Sequence, residues 1–215
     1  MTFLITAGPT REPIDPVRYI SNRSSGKMGY AIAEAALDAG HDVILISGPV
    51  NLAPPRDAKF ISVSTSDEMF EAVHRHAGAS DVCVLCAAVA DYKPAHVSPV
   101  KIKKCNAEFS LGLIPTHDIL HSLGRRQNRK FLLVGFAAET DRLEANAAKK
   151  LREKNCDIIV ANDARIAMET DENELLILFR DGETKKILRA PKNFLARELV
   201  KIFQNSQQKS LTKKM

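Results

Sequence analysis

Short, almost unbroken apolar runs recur along the chain, at residues 2–7 (TFLITA), 42–47 (DVILIS), 59–63 (KFISV), 82–88 (VCVLCAA), 131–137 (FLLVGFA) and 158–162 (IIVAN). A strand with one wet face alternates apolar and polar residues. These runs do not, so each needs cover on both faces. Segments of helical period lie between them. Residues 28–39 form an alanine-rich pattern closed by Gly40, a residue suited to the left-handed turn after a helix. Residues 66–77 open on Ser66 as N-cap with Glu68 in the first turn, and 141–155 carry Leu143, Ala147 and Leu151 as one stripe. Strands alternating with helices predict an α/β fold, a doubly wound, mostly parallel Rossmann-like sheet.

Two stretches break the alternation. Residues 89–130 read as a polar loop, a strand at 107–111 and a short helix near 117–123. Residues 174–188 read as a C-terminal β-hairpin about Arg180-Asp181-Gly182. A last helix at 191–204 leads to a polar, basic tail at 205–215 expected to be disordered. With no repeat and no separating linker, residues 1–204 are expected to form a single domain.

A chain with 45% hydrophobic and 27% charged residues is an ordinary globular protein, not a disordered, collagenous or coiled-coil one. Its longest apolar runs, 82–90 and 131–138, reach about half of the ~18 residues a membrane span needs. The N-terminus carries neither a basic n-region nor a cleavage site. The formal charge is +5, but residues 206–215 hold Lys209, Lys213 and Lys214 with no acid, leaving +2 on the body. That balance suits a small anionic substrate better than a long nucleic-acid track. Cys83 and Cys86 form a C-x-x-C inside an apolar run and read as two buried strand thiols, not a redox pair. Cys105 and Cys156 complete no disulfide framework, and the six histidines show no ligand spacing, so no protein metal site is expected. A reducing, cytoplasmic location follows.

Ligands of open α/β sheets bind beyond the carboxyl ends of the strands, which here selects the loops at 8–27, 47–55, 88–105 and 136–141. The first runs into Ser24-Ser25-Gly26-Lys27-Met28-Gly29, a G-x-G-x-x-G fingerprint with its first glycine replaced, at a helix start fit for phosphate. An ordinary helix start is the alternative. The pattern is no Walker A loop, since Ser21 replaces the first glycine and Met28 the magnesium-binding Ser or Thr. The second strand ends in Ser47-Gly48-Pro49, without the acid that would hold an adenosine ribose. Asp91, followed by Lys101, Lys103 and Lys104, is either a phosphate lid or a solvated charge run. Lys150 and Lys154 share a helix face behind Phe136 and Glu139, and either reach the sheet edge or face water. Glycines, lysines and two acids without a Ser–His or Cys–His pair suit phosphoryl or nucleotidyl transfer run by positioning and charge.

These motifs resemble a known family. Residues 6–22 (TAGPTREPIDPVRYISN) with 24–29 (SSGKMG), A-A-V-A-D-Y at 87–92, K-I-K-K at 101–104, G-F-A-A-E-T at 135–140 and A-N-D at 161–163 are similar to phosphopantothenate–cysteine ligase of the bacterial, CTP-dependent type. The resemblance covers residues 2–204 and implies a ligase half without the fused flavin-dependent decarboxylase. It implies that 4′-phosphopantothenate, L-cysteine and CTP give phosphopantothenoylcysteine, CMP and pyrophosphate through an acyl-cytidylate. Magnesium would be held mainly by the triphosphate. By position, Asn22 would contact the acyl intermediate and Lys101 would act in catalysis. Gly8, Ser24, Ser25, Gly26, Ala87, Asp91, Lys101, Phe136, Lys150, Lys154 and the turn Pro115-Thr116-His117-Asp118 would bind nucleotide, with Ala87 lining the cytosine site through its main chain. The turn departs from the commoner Asn-Pro-Asp-Ile form by its Thr-His. The resemblance further implies a homodimer, a flap over 93–104 and, where the halves are separate chains, a decarboxylase partner. An NADP-dependent Rossmann oxidoreductase is the rival enzyme. A nucleic-acid-binding module is the rival of another class, disfavoured by 6% aromatic residues with no tryptophan; no membrane partner is expected.

Overall fold

The computed structural model describes residues 1–104, 108–163, 165 and 171–212, the side chains of 211 and 212 excepted. Strand β1 (Thr2–Ala7) leads to a small hairpin of β2 (Arg11–Pro13) and β3 (Tyr19–Ser21), then helix α1 (Lys27–Asp38). Strands β4 (Asp42–Ser47) and β5 (Lys59–Ser62), helix α2 (Ser66–Ala77) and strand β6 (Val82–Leu85) follow. A ribbon of β7 (Tyr92–Pro94) and β8 (Leu113–Pro115) precedes α3 (Ile119–Gly124), β9 (Leu132–Glu139), α4 (Leu143–Glu153) and β10 (Ile158–Asp163). The hairpin β11 (Glu172–Phe179) and β12 (Thr184–Pro191) and helix α5 (Lys192–Thr212) complete the described chain.

Eight strands form one sheet in the order β12-β11-β10-β9-β6-β1-β4-β5. The six from β10 to β5 are parallel, and β11 and β12 add antiparallel pairs. Side-chain alternation explains the unbroken apolar runs. Phe3, Ile5, Val43, Leu45, Val82 and Val84 enter one core with residues of α1 and α5. Leu4, Ile44, Ile46, Cys83, Leu133 and Ile159 enter the other, with residues of α2, α3 and α4. Both parities are dry, as a doubly wound sheet requires.

Local signals set the helix ends. After α1, Gly40 at φ 76° lets its own N–H reach Leu37 O and that of His41 reach Ala36 O, the two bonds of a Schellman stop. The start of α2 corrects the expected cap by one residue: Thr65, not Ser66, is the N-cap. Its Oγ1 accepts from Glu68 N while Glu68 Oε2 accepts from Thr65 N, a reciprocal box that only this offset allows.

Other expectations shift. Strand β6 ends at Leu85, not 88, so Cys86 is a loop residue. The strand expected at 107–111 is a coil over 108–111, with residue 107 outside the described ones; the strand here is β8, paired antiparallel with β7. The expected tail is helical through Thr212, because α5 is anchored beyond 204: buried Gln207 donates through Nε2 to Lys130 O at 3.0 Å. Residues 213–215 and Cys105 lie outside the described residues.

Gly29 marks where α1 presses on β1. A Cβ there would stand 2.6 Å from Ala7 Cβ and 3.1 Å from Thr6 O, so Gly29→Ala must push the helix off the sheet. The overpacking costs about 1–3 kcal/mol. The melting temperature should fall by ~3–10 °C in a thermal unfolding experiment; an unchanged value would mean that α1 slides without cost.

Candidate functional site

The strand order reverses between β1 and β6, and the loops leaving these neighbours splay apart at their carboxyl ends. They are stitched together first. Pro9 and Ala88 form an isolated bridge, Ala88 N donates to Gly8 O at 2.9 Å and Thr10 N to Ala88 O. Two buried threonines tie the rest: Thr6 Oγ1 accepts from Cys86 N and Ala87 N, both at 3.1 Å, and Thr10 Oγ1 accepts from Ala90 N at 3.0 Å. Asn22 joins from the far side, its Nδ2 donating to Ala88 O at 3.0 Å and Val89 O at 3.2 Å.

A cavity of about 1110 Å³ opens above this seam, more room than a single drug-sized ligand takes. The start of α1 forms part of its wall. Gly26, the N-cap, sits at φ 76° with no side-chain cap, and the first turn holds no acid. Its N–H groups are therefore open to an anion. A Cβ on Gly26 would meet Val50 at 2.9 Å and Gly8 at 3.3 Å, so this loop lies flat on the end of β1.

The opposite wall comes from α4 and α3. Lys150 reaches the sheet edge and Lys154 the N-cap of α3, and both line the cavity. Lys150 Nζ donates to Phe136 O at 2.7 Å; burial pushes its ammonium down, against the opposing pull of Glu139. Lys154 Nζ pairs with Asp118 Oδ2 at 2.5 Å while Asp118 Oδ1 caps α3 at His121 N. Burial raises the Asp118 carboxyl, but the Lys154 bond and the cap outweigh it and hold it below the usual range. Thr116 Oγ1 donates to Ala90 O, fastening the 115–118 turn to the seam.

Of the residues selected from sequence, Asn22, Ser24, Ser25, Gly26, Ala87 and Asp91 line the cavity. So do Thr116, His117, Asp118, Phe136, Lys150 and Lys154. Gly8, Pro115 and Lys101 do not. Gly8, at φ 72°, backs the α1 loop, and a Cβ there would lie 3.0 Å from Gly48 O. Pro115 ends β8 and pairs with Tyr92. Lys101 is exposed on a segment fastened elsewhere: Ser98 N donates to Ile14 O, Ile102 N to Asp15 Oδ2 and Arg18 Nη2 to Ile102 O. The Arg18 guanidinium holds the Asp15 carboxyl well below the usual carboxylate range. This clasp stays charged above that range and is lost only as pH falls through the depressed value.

Spacing alone missed Lys27, Asn162, Asn173 and Lys192, which also line the cavity. Lys27 and Asn162 stand inside quoted motifs, whereas Asn173 and Lys192 arrive through an antiparallel hairpin that spacing does not place. Cys86 lines it too, but burial pushes its thiol up to about 12, and the Cys83 thiol is raised as well. A raised thiol disfavours the thiolate that nucleophilic or redox chemistry needs. Among the described residues no three His, Cys, Asp or Glu side chains group as a metal site, and no helix is long and apolar enough to cross a membrane. Beyond β4 the chain lies close against the β1 loop. Gly48 lies against Pro9, where a Cβ would fall 1.8 Å from Pro9 O, and Val50 packs on Gly8 and Gly26.

A doubly wound sheet with a cavity at its switch point, lined by Lys27, Lys150, Lys154 and Lys192, places the chain in the class of open α/β proteins that bind ligands beyond the carboxyl ends of their strands. Within that class, the chain belongs to the family described as DNA/pantothenate metabolism flavoprotein C-terminal domain, whose model matches residues 1–206. It is 46% identical over 209 residues to the coenzyme A biosynthesis bifunctional protein CoaBC of Haemophilus influenzae, covering 96% of this chain and 52% of the relative. It is 49% identical over 188 residues to the protein of the same name from Bacillus subtilis, covering 86% and 46%. The chain thus spans about half the length of these curated relatives. A crystal structure of the C-terminal domain of a CoaBC protein superposes with a TM-score of 0.82 at 44% identity, covering 97% of this chain and 95% of that one.

Proposed function

We propose that the chain is a phosphopantothenate–cysteine ligase of coenzyme A biosynthesis. The observation that carries this reading is the match over 97% of the chain to the C-terminal domain of a CoaBC protein, with most of the selected residues lining one cavity. The carboxylate of 4′-phosphopantothenate attacks the α-phosphorus of CTP and pyrophosphate leaves. The L-cysteine amine then attacks the acyl carbon of the acyl-cytidylate and CMP leaves. Lys150, Lys154 and the α1 N-terminus neutralise phosphate charge, and the main chain at Ala87 meets the cytosine. Asn22 braces that loop beside the acyl group, and Lys101 reaches the phosphates when the 93–104 segment closes as a flap.

Wall carboxylates such as Asp91 and Glu139 fit a magnesium ion carried mainly by the triphosphate, which would supply further charge neutralisation. The active unit is proposed to be a cytoplasmic homodimer. Val17, Tyr19, Tyr92, Val97 and Val100 are exposed on or beside the β2–β3 and β7–β8 ribbons, Val100 at 68%, an apolar surface that a second copy would cover. A decarboxylase, on a separate chain or fused, would consume the product.

The test is pyrophosphate release with each nucleotide, with and without phosphopantothenate and cysteine. Release that needs phosphopantothenate, and product that also needs cysteine, is expected. Nicotinamide reduction without pyrophosphate would overturn the reading. CTP should saturate the enzyme at lower concentration than ATP, because main-chain groups around Ala87 recognise a compact pyrimidine edge. Equal kcat/KM for the two would count against the cytosine assignment.

A further inference from the structure

A second hollow lies at the opposite edge of the sheet, and the ligase reading uses none of it. Its volume is about 360 Å³, and among the described residues it shares no lining residue with the larger cavity. Its walls come from the amino ends of β9 and β10, the ends of α3 and α4, the β11–β12 turn and the last described turn of α5. Ligand pockets start at about 300 Å³, so the space suits a compact molecule.

Its charge sets it apart. Among the described residues that line it, Arg126, Arg129, Lys130 and Arg180 face a single acid, Asp157. That carboxylate is already shared: Oδ2 accepts from Arg129 Nη2 at 2.7 Å and from Leu133 N at 2.8 Å, and Oδ1 lies 3.3 Å from Arg180 Nη2. Helix ends take up part of the remaining charge. Arg129 Nη1 donates to Asn155 O at 3.0 Å, and Arg180 donates to Asn155 O and Cys156 O. A helix C-terminus carries about half a negative charge. The ends of α3, α4 and α5 together with Asp157 therefore leave about one and a half positive charges unmatched. The Arg129 side chain is only 10% exposed, and a buried charge without its counter-charge is costly. Donors are left over as well. Among the described residues the side chains of Arg126 and Lys130 make no hydrogen bond or ion pair, and Arg180 Nη1 and Arg129 Nε make no hydrogen bond. The carbonyls that hold Arg129 and Arg180 fix their guanidinium planes before any ligand arrives. Planar guanidiniums match the paired oxygens of carboxylates and phosphates.

We propose that this hollow at the amino edge of the sheet is a second binding site, seating a small polyanion with phosphate or carboxylate groups on Arg126, Arg129, Lys130 and Arg180. The pre-set guanidiniums of Arg129 and Arg180 orient it. Arg126 and Lys130, free of other bonds among the described residues, close on it and supply the charge that Asp157 leaves unmatched. The site is independent of the ligase reading, since no residue of the larger cavity takes part.

The test is amide chemical-shift mapping of the full chain by NMR, titrated with pyrophosphate and, separately, with citrate. At about 0.15 M salt charges are screened over ~8 Å, which removes diffuse association. Saturable shifts are expected at Gly124, Leu132 and Asn155. A double variant, Arg126→Gln with Lys130→Gln, removes two charges and no hydrogen bond among the described residues, because Lys130 holds Gln207 through its carbonyl. The affinity read at those amides should fall about tenfold or more in the double variant, with the melting temperature unchanged. Any shifts at Gly26 and Lys27, in the larger cavity, should keep their wild-type affinity, which separates the two sites. Saturation by pyrophosphate alone assigns a phosphorylated ligand, by citrate alone a polycarboxylate, and by both a ligand chosen by charge; each supports the site. The absence of saturable shifts at the three amides with either anion overturns it, as does wild-type affinity in the double variant.

Discussion

Lys101→Gln should slow formation of the acyl-nucleotide about 10²-fold, the loss expected when one charge-stabilising donor is removed from a phosphoryl centre. The size of this effect is informative because Lys101 starts outside the cavity. Its segment is held on the 14–18 turn by three hydrogen bonds: Ser98 N to Ile14 O at 3.0 Å, Ile102 N to Asp15 Oδ2 at 3.1 Å and Arg18 Nη2 to Ile102 O at 2.7 Å. Bonds of this kind contribute about 1 kcal/mol each, somewhat more when charged. The segment can therefore be released by a triphosphate that gains a lysine in return. Lys101 makes no ion pair among the described residues, so none of them competes for it. Rapid-quench measurement of pyrophosphate release, with phosphopantothenate present and cysteine omitted, isolates the step. A variant that releases pyrophosphate at the wild-type rate would remove Lys101 from the chemistry.

The contrast between Lys101 and Lys150 shows what a sequence displays and what it hides. Both are lysines that the sequence singles out as candidates for the nucleotide. Lys150 is placed by a helix whose stripe of Leu143, Ala147 and Leu151 packs on the sheet, so its face is fixed by period 3.6. Lys101 sits where no period operates, and its position depends on hydrogen bonds to a hairpin more than eighty residues earlier. The parallel strands were legible for a similar reason: residues such as Leu4 and Ile5 point to opposite cores, and both are apolar. The β7–β8 ribbon was not, because its strands span three residues each and leave Tyr92 and Leu113 exposed, so no burial pattern marks them. Helix α5 outran its expected end because one buried polar residue, Gln207, anchors a stretch that composition alone reads as solvated. Asn173 and Lys192 escaped because their place at the cavity depends on antiparallel register, including the irregularity between Asn173 and Leu175 in the β11–β12 pairing.

Asn22→Asp should separate the two proposed half-reactions. In the structure both amide hydrogens of Asn22 are spent on the seam, at Ala88 O and Val89 O. The side-chain oxygen is left as the group able to face a ligand. An amide oriented in this way can accept a hydrogen bond from the incoming cysteine amine while holding the loop proposed to meet the nucleotide. The aspartate has the same shape but turns two attractions into repulsions, because a carboxylate oxygen then faces the two carbonyl oxygens. The loop must shift to relieve them. Part of that shift loosens nucleotide binding, and a saturating CTP concentration restores occupancy. The misplacement of the acyl carbon relative to the amine persists at saturation, and a displacement of about 1 Å costs of order 10² in rate. At saturating CTP the variant should therefore release pyrophosphate within a few-fold of the wild-type rate while product formation falls about 10²-fold. Acyl-cytidylate should accumulate on the enzyme. Quenching the reaction with and without cysteine, and weighing the bound species by mass spectrometry, reads both quantities in one experiment. If the two half-reactions slow equally and no intermediate builds up, Asn22 is a strut for the loop at 86–91 and has no separate part in the attack of the amine.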